Sequence, residues 1–543
     1  MKRLIFFLII LVSALLRIYQ IGSIPPSLTW DETAWGYNAY VLGIDGRDEF
    51  GKYLPLQYIE SFGDFKPPLY AYLTIIPVKI FGLTEFATRL PSAVFGVLTV
   101  ILTYFLVKEV FGEKKEELAL FSMFMLSISP WHILLSRGAF EANIASFFIV
   151  SGVYFFLISI RKNMWFISLS IISFVLSMYT FNTARVVSPL LFIVLCLFFL
   201  KKIIRKKIAV TASGIAGFII FLPLFLFLLS PISQIRFHEV NIFTDSSLIS
   251  RVNQQVENDN GAFWSKIIHN RRFAFGVEYV RHYFDNLSPQ FLFVRGDGNP
   301  KFSIQDVGQL YIWEVPFFIL GAFYLFRKRE KYWYVLPIWL VLGIAPAAVA
   351  RETPHALRIE SSLPTFQILT AYGLYQLAAG ISNIKYKIAN IHIKYLIFSL
   401  YILFLIFNFS YFLHNYLNHY SREFSSEWQY GYKEAVEFAE ENKYNYDSIY
   451  VTTELGRPYI YFLFYSKYAP EKFRSEAKIR REVLGFVHVD GFDKYHFLDD
   501  FSEIDLDGNN LYVNTPSEVP ESANIIKEFR LLNGEVGLMA YTL

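Results

Sequence analysis

Apolar runs of bilayer-spanning length recur along most of this 543-residue chain, and they restrict its fold more than any other feature. About eleven such runs are present, each close to the roughly 20 residues that an α-helix needs to cross a bilayer. Charged residues make up only 18% of the chain, against about 25% in soluble domains. Because lipid offers no hydrogen bonds to the backbone, helices are the expected form of these runs. We therefore expect an all-α polytopic membrane protein.

Short basic clusters between the apolar runs set the orientation, because cytoplasmic loops are enriched in Lys and Arg. They place the N-terminus, with Lys2 and Arg3, in the cytoplasm of a multi-pass protein of the cell membrane. The first run is expected to remain as a span, since no small-x-small cleavage site follows it. The predicted spans are residues 4–21, 86–107, 118–135, 142–160, 164–181, 186–200, 208–230, 310–326, 333–350, 362–380 and 395–413.

The polar segments then fall mainly on the outer side of the membrane. We expect a transmembrane domain at 1–413, with outer loops 22–85 and 231–309, and a small extracytoplasmic α/β domain at 414–543. Its predicted elements are a serine-capped helix at 425–442, a second helix at 457–468, and strands at 448–452, 483–489, 511–514 and 536–543. The apolar run 67–82 is too short to span, which predicts a re-entrant or interfacial helix.

Composition excludes several classes of function. The net charge of +3 and the scattered basic clusters argue against a nucleic-acid partner, while membrane lipids are an expected one. Cys196 is the single cysteine, so no intramolecular disulfide can form and a cysteine-based metal site is not expected. No phosphate-binding Gly-Lys-Ser/Thr loop, His-Glu-x-x-His or Gly-x-Ser-x-Gly motif occurs, which leaves an ATP-driven mechanism without support.

Two polar motifs stand in the first outer loop. Asp31 and Glu32 follow Trp30 directly after the first span and form a candidate acidic site. The alternative is an ordinary helix N-terminus, where acids complement the helix dipole. Lys66 precedes two prolines and the short apolar run, which places it at the membrane surface. The alternative is a snorkelling lysine, whose ammonium extends to the water at the membrane interface without binding a substrate.

Further cations lie on the outer side, against the positive-inside bias. They are Arg137 at the junction of spans three and four, Arg185 at the end of span five, and His355 and Arg358 between spans nine and ten. Each is also explained as a topology or capping feature. Together with Lys66 they favour an anionic partner at the bilayer surface, because the planar guanidinium fork suits phosphate oxygens.

Residues 1 to about 380 resemble the C-fold integral membrane glycosyltransferases. Within that group the chain is most similar to the branch of protein O-mannosyltransferases and lipid A aminoarabinose transferases, including bacterial members. The motifs that carry the resemblance are Trp30-Asp31-Glu32, Lys66-Pro67-Pro68-Leu69-Tyr70, Thr88-Arg89-Leu90-Pro91-Ser92, Arg137 to Asn143, Leu287 to Tyr311, and Pro354-His355-Ala356-Leu357-Arg358.

The resemblance implies transfer of a sugar from a polyprenyl-phosphate carrier to an acceptor on the outer face. The acceptor can be a protein, a lipid or a glycan. Asp31 matches the acidic position of the family and would act as general base in an inverting displacement, with Glu32 positioning the acceptor or tuning Asp31. Donor-phosphate binding is assigned to Lys66, Arg137, Arg185, His355 and Arg358, and substrate positioning to Trp30, Tyr37, Tyr70, Glu141 and Asn143.

Two features of the resemblance are specific to this chain. Aminoarabinose transferases often carry an acid directly before the lysine of the Lys-Pro-Pro motif, whereas Phe65 stands there, so that sugar is not implied. Some C-fold enzymes require a divalent metal ion. No ligand set beyond Asp31 and Glu32 is visible, so no cofactor is assigned and a divalent ion stays open.

A transporter or flippase of lipid-linked sugars is the alternative function. Such a protein places ionisable residues near the middle of the bilayer, often in broken helices of repeated halves. Here the spans are nearly free of acids and the charged motifs gather at one surface, which favours surface chemistry. A non-catalytic sensor or scaffold is a third possibility, and it leaves Asp31 and the outer arginines unexplained.

Overall fold

The computed structural model describes residues 1–234, 241–383, 391–482, 487–501 and 508–543. Its residues form two compact units. We call the first the helical unit, made of Met1–Leu16, Phe95–Leu135 and Glu141–Phe412. We call the second the mixed unit, made of Arg17–Val94, Ser136–Phe140 and Leu413–Leu543.

Helices dominate the chain. In chain order α1 to α22 are Lys2–Ile18, Trp30–Asp45, Leu69–Phe81, Glu85–Phe111, Glu116–Ile128, Pro130–Arg137, Glu141–Arg161, Phe166–Met178, Ala184–Phe198, Leu200–Ile204, Lys207–Leu228, Ser246–Asn258, Phe263–Ile268, Arg271–Asp285, Val315–Lys328, Val335–Ile344, Thr365–Asn383, Ile391–His414, Tyr420–Glu423, Tyr432–Asn442, Pro458–Tyr465 and Pro470–Glu476.

Every predicted span contains helix, and the prediction of an all-α polytopic membrane fold with a tail that contains β-structure is confirmed. Among the described residues, four helices are by themselves long and apolar enough to cross a membrane. A fifth span arises if α5 and α6 count as one, although they meet at an angle of 56°. Pro130 explains this bend, because proline suits the first turn of a new helix and cannot continue an old one.

Two glycines bring α15 and α17 into close contact in the helical unit. A Cβ atom on Gly321 would lie 1.9 Å from the carbonyl oxygen of Leu369, and one on Gly373 would lie 1.9 Å from that of Phe317. Small residues at such crossings let two backbones approach, which is how helices associate in a lipid environment.

The mixed unit contains a seven-stranded sheet and a two-stranded hairpin. The sheet order is β4-β5-β6-β3-β7-β9-β8, and its central strand β3 runs parallel to β6 and β7 while the other pairs are antiparallel. Strands β1 to β9 are Ile59–Ser61, Asp64–Lys66, Ile449–Thr452, Lys478–Arg481, Val487–Phe492, Tyr495–Leu498, Leu511–Asn514, Asn524–Arg530 and Val536–Thr542.

The core of the mixed unit joins the first outer loop to the tail. Alternate residues of the central strands, such as Ile449 and Val451, are buried in one cluster with Phe462 of α21. Tyr37 of α2 and Phe62 of the hairpin belong to the same cluster. The division at residue 414 stays a prediction, but the compact unit that contains the tail also contains the segment 17–94.

The predicted elements of the tail are partly confirmed. Strands β3, β7 and β9 and helix α21 lie where the pattern placed them. The serine cap at Ser425 is wrong, because α20 begins only at Tyr432, after Gly431 adopts a φ of 107°. Residues 483–486 of the strand predicted at 483–489 lie outside the described residues, and β5 covers Val487–Phe492.

The glycine contact between α15 and α17 predicts a position-specific effect of added volume. Gly373→Leu should lower the thermal unfolding midpoint of the detergent-purified protein, because the new side chain must displace backbone and overpacking costs about 1–3 kcal/mol or more. Gly214→Leu on α11 is the matched control, since a Cβ there meets nothing within 4 Å. Equal unfolding midpoints for the two variants would contradict the close contact.

Candidate functional site

The site begins at the first turn of α2, which a capping box holds in place. The hydroxyl of Thr29 accepts a hydrogen bond from the backbone N–H of Glu32 at 3.3 Å. The carboxylate of Glu32 accepts one from the backbone N–H of Thr29 at 3.0 Å. This reciprocal pair satisfies two helix-end donors and fixes where the helix starts. The helix-terminus interpretation of Asp31 and Glu32 is therefore correct, and it leaves a chemical role open for either acid.

Glu32 is fully engaged inside the mixed unit. Its Oε1 accepts from Arg89 Nε at 2.8 Å and from the backbone N–H of Ala139 at 2.7 Å. Its Oε2 accepts from Arg89 Nη2 at 3.0 Å, in addition to the Thr29 bond. A carboxylate offers about four acceptor sites, and all are used here. With a side chain only 1% exposed, Glu32 positions its neighbours rather than meeting a substrate.

Arg89 completes this buried pair and was missed as a site residue. Beyond its fork onto Glu32, its Nη1 donates to the carbonyl oxygens of Ile21 at 3.1 Å and Pro25 at 2.8 Å. Its Nη2 donates to the carbonyl oxygen of Ser27. A single guanidinium thus ties down the whole entry into α2, and bidentate pairs of this kind are strong and directional.

Asp31, the other acid of the motif, lies at the surface. Its side chain is 56% exposed, and its Oδ1 accepts a hydrogen bond from Lys66 Nζ. The Lys66 side chain is only 8% exposed, and its ammonium lies 5.3 Å from the ring centre of Trp35 and 5.0 Å from that of Phe62. Aromatic faces attract a cation, so these rings help to hold the lysine under the carboxylate.

A tight hairpin delivers Lys66 to this position. Strands β1 and β2 pair Ile59 with Lys66, and the turn between them consists of Phe62 and Gly63. Both turn residues have positive φ, 62° and 83°, as a type I′ two-residue hairpin requires. Helix α3 starts three residues after Lys66, at Leu69, so the predicted helix at 67–82 is confirmed while its interfacial placement stays a prediction.

Arg137 also lies in the mixed unit, where it is 1% exposed. Its Nε donates to the Tyr416 hydroxyl at 3.1 Å and its Nη2 donates to the carbonyl oxygen of Ile24 at 2.9 Å. Its guanidinium also lies over the Tyr416 ring, 5.3 Å from the ring centre. Tyr416 belongs to a π-helical turn at Asn415–His419, an irregularity that sequence periodicity does not reveal.

The predicted substrate-positioning residues of this unit pack against its interior. The Tyr37 hydroxyl donates to the Tyr468 carbonyl at 3.0 Å, and the Tyr70 hydroxyl donates to the Thr88 carbonyl at 2.9 Å, with both rings buried. Trp30 is half-buried and lies so close to Gly456 that a Cβ there would be 2.6 Å from its ring. Their contact with a substrate stays a prediction, since the observed contacts give all three a packing role.

Glu49 is a buried acid that the sequence did not single out. Its carboxyl accepts from Asn38 Nδ2 at 3.2 Å and from the Tyr459 hydroxyl at 3.3 Å. Burial, reinforced by the charge of Asp48 and opposed by that of Lys66, raises the pKa of Glu49 to about 8. Glu49 is therefore largely protonated at neutral pH, near the ion pair of Lys66.

The remaining predicted cations lie in the helical unit. The His355 backbone N–H donates to Asn286 Oδ1 at 3.0 Å, and burial lowers the pKa of its imidazole to about 3, so the ring is neutral. Arg358 Nη1 donates to the Glu352 carbonyl at 2.9 Å, and its Nη2 lies 3.5 Å from a Glu352 carboxylate oxygen. Arg185 Nε donates to the Met178 carbonyl at 3.3 Å.

Glu141 and Asn143 open helix α7 of the helical unit, where Glu141 is half-buried and Asn143 is buried. Glu360 was missed in this part of the chain. It is fully buried, and within the described residues neither of its carboxyl oxygens has a hydrogen-bond partner. Burial, together with the charge of Glu141, holds the pKa of Glu360 well above its ordinary range.

The structure therefore brings together the acidic motif and Lys66, as predicted, and adds Arg89 and Glu49 to them. Arg137 shares the same unit, whereas Arg185, His355, Arg358, Glu141 and Asn143 belong to the helical unit. Among the described residues, no group of three His, Cys, Asp or Glu side chains could hold a metal ion. The divalent ion stays an open expectation.

Comparison with known proteins identifies the architecture. Residues 65–227 match the family model described as dolichyl-phosphate-mannose-protein mannosyltransferase. An uncharacterised protein of Aquifex aeolicus (strain VF5) is 30% identical over 163 residues, which is 28% of this chain and 32% of that protein. The Bacillus subtilis (strain 168) protein YkcB, which carries a provisional mannosyltransferase name, is 27% identical over 28% of this chain and 21% of its own length. The matches thus span about a third or less of these relatives.

Solved structures extend the likeness to the whole chain. ArnT from Cupriavidus metallidurans in the apo state superposes with a TM-score of 0.55 at 14% identity, covering 99% of this chain and 97% of ArnT. The same protein bound to undecaprenyl phosphate gives a TM-score of 0.54 at 13% identity, with 99% and 97% covered. An oligosaccharyltransferase from Archaeoglobus fulgidus gives 0.50 at 15% identity, covering 86% and 64%. The resemblance to C-fold membrane glycosyltransferases is confirmed.

The buried Glu32–Arg89 pair predicts that replacing Arg89 alone lowers stability strongly, and that replacing Glu32 as well restores part of the loss. Arg89→Met leaves a buried carboxylate without its counter-ion, which should cost about 3–5 kcal/mol of unfolding free energy. The double variant Glu32→Gln with Arg89→Met should recover a substantial part of that loss, as measured by thermal or chemical unfolding in detergent.

The matched control for this pair is Arg481→Met. Arg481 pairs with Glu60 at the surface of the same unit, with its side chain 54% exposed, so its loss should cost about 1 kcal/mol or less. Equal losses for Arg89→Met and Arg481→Met, or a double variant less stable than Arg89→Met alone, would contradict the buried-pair assignment.

The raised pKa of Glu49 predicts that the stability of the fold decreases as pH rises. The folded state holds a proton on Glu49 up to about pH 8, while the unfolded chain releases it near 4.5. Stability contributed by this group is therefore greatest at low pH and is lost as pH rises between those values. Glu49→Gln removes the titration, and its amide can still bond both Asn38 and the Tyr459 hydroxyl.

The measurement compares unfolding midpoints of Glu49→Gln and the parent protein across pH. The advantage of Glu49→Gln should grow from about pH 5 to about pH 8 and then level off. Glu471→Gln, at an exposed glutamate of α22, should show no such trend. A constant difference across this pH range would rule out a buried neutral Glu49.

Proposed function

We propose that this protein transfers a sugar from a polyprenyl-phosphate carrier to an acceptor on the outer face of the membrane. The observation that carries the proposal is the opposite exposure of two adjacent acids. Glu32 is 1% exposed and bound to Arg89, whereas Asp31 is 56% exposed at the start of the same helix. Asp31 is thus a carboxylate on a rigid support that a substrate can reach.

Asp31 is the general base in this proposal. Its carboxylate takes the proton of the acceptor nucleophile as that atom attacks the anomeric carbon of the sugar. The bond between the anomeric carbon and the phosphate oxygen breaks, and the carrier leaves as a polyprenyl phosphate that needs no added proton. A single displacement of this kind inverts the anomeric centre. General-base assistance is typically worth about 10²–10⁴-fold in rate.

Lys66 has two parts in this scheme. Its ammonium donates to Asp31 Oδ1 and orients the carboxylate, since the lysine is itself held by Trp35 and Phe62. In this scheme its positive charge also meets the negative charge that develops on the departing phosphate, and such preorganised charge is usually the largest catalytic contribution. The predicted phosphate role of Lys66 is therefore retained beside a positioning role.

The other predicted phosphate ligands differ in how readily they can change partner. Arg137 is buried and donates to Tyr416 and to the Ile24 carbonyl, which favours a structural role. Arg358 pairs with Glu352, whose side chain is 81% exposed. Although the Arg358 side chain is only 22% exposed, its partner Glu352 is in water, and an ion pair with a solvated carboxylate contributes little, so a phosphate can replace that carboxylate at small cost. Arg358 is our first choice for the donor phosphate among these cations, with His355 as a neutral donor beside it and Arg185 as a further candidate.

The donor class is supported by the family and by the fold. The matching family model is described by its dolichyl-phosphate-mannose donor, and the ArnT structure of the same fold is bound to undecaprenyl phosphate. Both carriers are long polyprenyl chains ending in a phosphate. We accordingly propose a polyprenyl-phosphate-linked sugar as donor, with the catalytic face and the tail domain outside the cell and the N-terminus in the cytoplasm.

Asp31→Asn tests this function in purified protein reconstituted with a polyprenyl-phosphate-linked mannose donor. The acceptor is supplied by membranes from a strain in which the gene for this protein is deleted, so that acceptor sites are unmodified. Sugar transfer should fall by about 10²–10⁴-fold because the amide cannot take the acceptor proton. Binding of the donor should persist, since Asn keeps the oxygen that accepts from Lys66. Lys66→Met should also lower turnover.

Glu471→Gln is the control, because this exposed acid on α22 belongs to no part of the proposed site. Full turnover in Asp31→Asn would remove the base assignment. Movement of labelled carrier across vesicles by both the parent protein and Asp31→Asn, without any modified acceptor, would support the flippase instead.

A further inference from the structure

Helix α14, within the outer loop predicted at 231–309, carries an apolar stripe that no part of the described chain covers. Phe273, Val277, Val280 and Phe284 recur at spacings of four, three and four residues, which places them on one side of the helix. These side chains are between 52% and 63% exposed. Large apolar stripes of this kind mark interaction or membrane surfaces when they occur on a folded protein.

The other side of α14 is fastened to an apolar helix of the same unit. The Tyr283 hydroxyl donates to the Val341 carbonyl at 3.3 Å, and the Tyr279 hydroxyl donates to the Ala345 carbonyl at 3.2 Å. The Nδ1 of His282 lies 2.9 Å from the Ala350 carbonyl oxygen, which it meets as a donor. Helix α14 therefore lies beside the second half of the predicted span 333–350.

The segment that α14 contacts, residues 341–350, indicates what surrounds the stripe. The apolar stretch Val335–Val349, which includes α16 and the short helical turn Ala347–Val349, contains no charged residue, and its Val341 is itself 53% exposed. Because residues 333–350 are predicted to span the membrane, we expect the exposed side chain of Val341 to face lipid. Because α14 is bonded to the predicted span from Val341 to Ala350, its outward stripe is expected at the same depth as that surface.

Helix α13, just before α14, has the same character. Phe263, Trp264, Ile267 and Ile268 are between 54% and 81% exposed, and the remaining long side chain, Lys266, is basic. Trp beside Lys is typical of the layer between hydrocarbon and headgroups.

The exposed charges on α13 and α14 are basic. Arg271 and Arg272 begin α14 next to Lys266, and all three are exposed. Of the two acids in α14, Glu278 is paired with Arg281, and Asp285 accepts a hydrogen bond from Thr353. An apolar stripe bordered by cations fits a phospholipid surface, because its phosphates lie just above its acyl chains.

We infer that Phe263–Asp285 is an interfacial element of the outer leaflet, with Phe273, Val277, Val280 and Phe284 in the acyl region. Lys266, Arg271 and Arg272 then lie among the lipid phosphates. A second copy of this chain or another protein would bury the stripe equally well, but neither accounts for the fastening of α14 along a lipid-facing span.

This placement has a consequence for donor binding, and that consequence alone rests on the proposed function. The end of α14 holds the loop that carries His355 and Arg358, because Asp285 accepts from Thr353 and Asn286 accepts from the His355 backbone. An interfacial α14 keeps these two predicted phosphate-binding residues at the level of the lipid phosphates. A lipid-linked sugar phosphate lies at the same level.

The test measures the depth of single labelled positions in the full chain, reconstituted in nanodiscs. Cys196 is the only cysteine, so Cys196→Ser provides a clean background. Val280→Cys and Phe284→Cys then carry an environment-sensitive fluorophore on the stripe. Glu257→Cys on the polar helix α12 and Tyr444→Cys, at a side chain 90% exposed in the tail, serve as matched references.

Two quenchers decide the outcome, one a nitroxide high on the lipid acyl chain and the other aqueous iodide. The inference expects the nitroxide to quench the labels at 280 and 284 severalfold more strongly than those at 257 and 444, with iodide showing the reverse order. Stronger quenching of 280 and 284 by iodide would overturn it. Protection of these labels from both quenchers would also overturn it, in favour of a protein partner. Neither result depends on whether sugar transfer is observed.

Discussion

The buried ion pair between Glu32 and Arg89 is the interaction on which the mixed unit depends. Removing two charges from water costs several kcal/mol for each ion, and the cost is met only where the remaining hydrogen-bonding capacity is filled. Here Glu32 accepts four bonds, and Arg89 donates to three backbone carbonyls besides the fork onto Glu32. These bonds connect α2, α4, the chain from Ile21 to Thr29, and Ala139. The entry into α2 is consequently held from several directions.

The fixed first turn of α2 determines what Asp31 can do. Successive helical residues point about 100° apart, so a helix that buries Glu32 turns Asp31 outward. The exposed carboxylate of Asp31 thus belongs to a helical turn that the four hydrogen bonds of Glu32 hold in place. Lys66 approaches it from the β1–β2 hairpin, whose turn at Phe62 and Gly63 leaves little freedom of register. The two adjacent acids thus divide into a buried structural residue, Glu32, and an exposed residue, Asp31, which is the one we propose as general base.

Sequence reasoning located the apolar helices because long apolar runs have few other uses. It singled out Asp31 because two adjacent acids follow the first predicted span, and Lys66 because it precedes two prolines and a short apolar run. It missed Arg89 as a partner of Glu32 because the two lie 57 positions apart, and no local pattern records which distant residues meet. Glu49 was missed for the same reason, since its partner Tyr459 is 410 positions away. Helix α14 was overlooked because its apolar residues form a stripe rather than a run.

The outer arginines show why a charge pattern predicts a partner less well than a structure does. An arginine near the bilayer needs acceptors for its guanidinium, and backbone carbonyls satisfy it as well as a lipid phosphate does. Arg89 and Arg137 both use carbonyl oxygens inside the protein, and Arg185 donates to one at Met178. Arg358 also reaches the exposed carboxylate of Glu352, which screening by water makes a weak partner. Exchange of that carboxylate for a phosphate would leave the buried hydrogen bonds of the protein unchanged, which is why Arg358 is the outer arginine that we propose for donor binding.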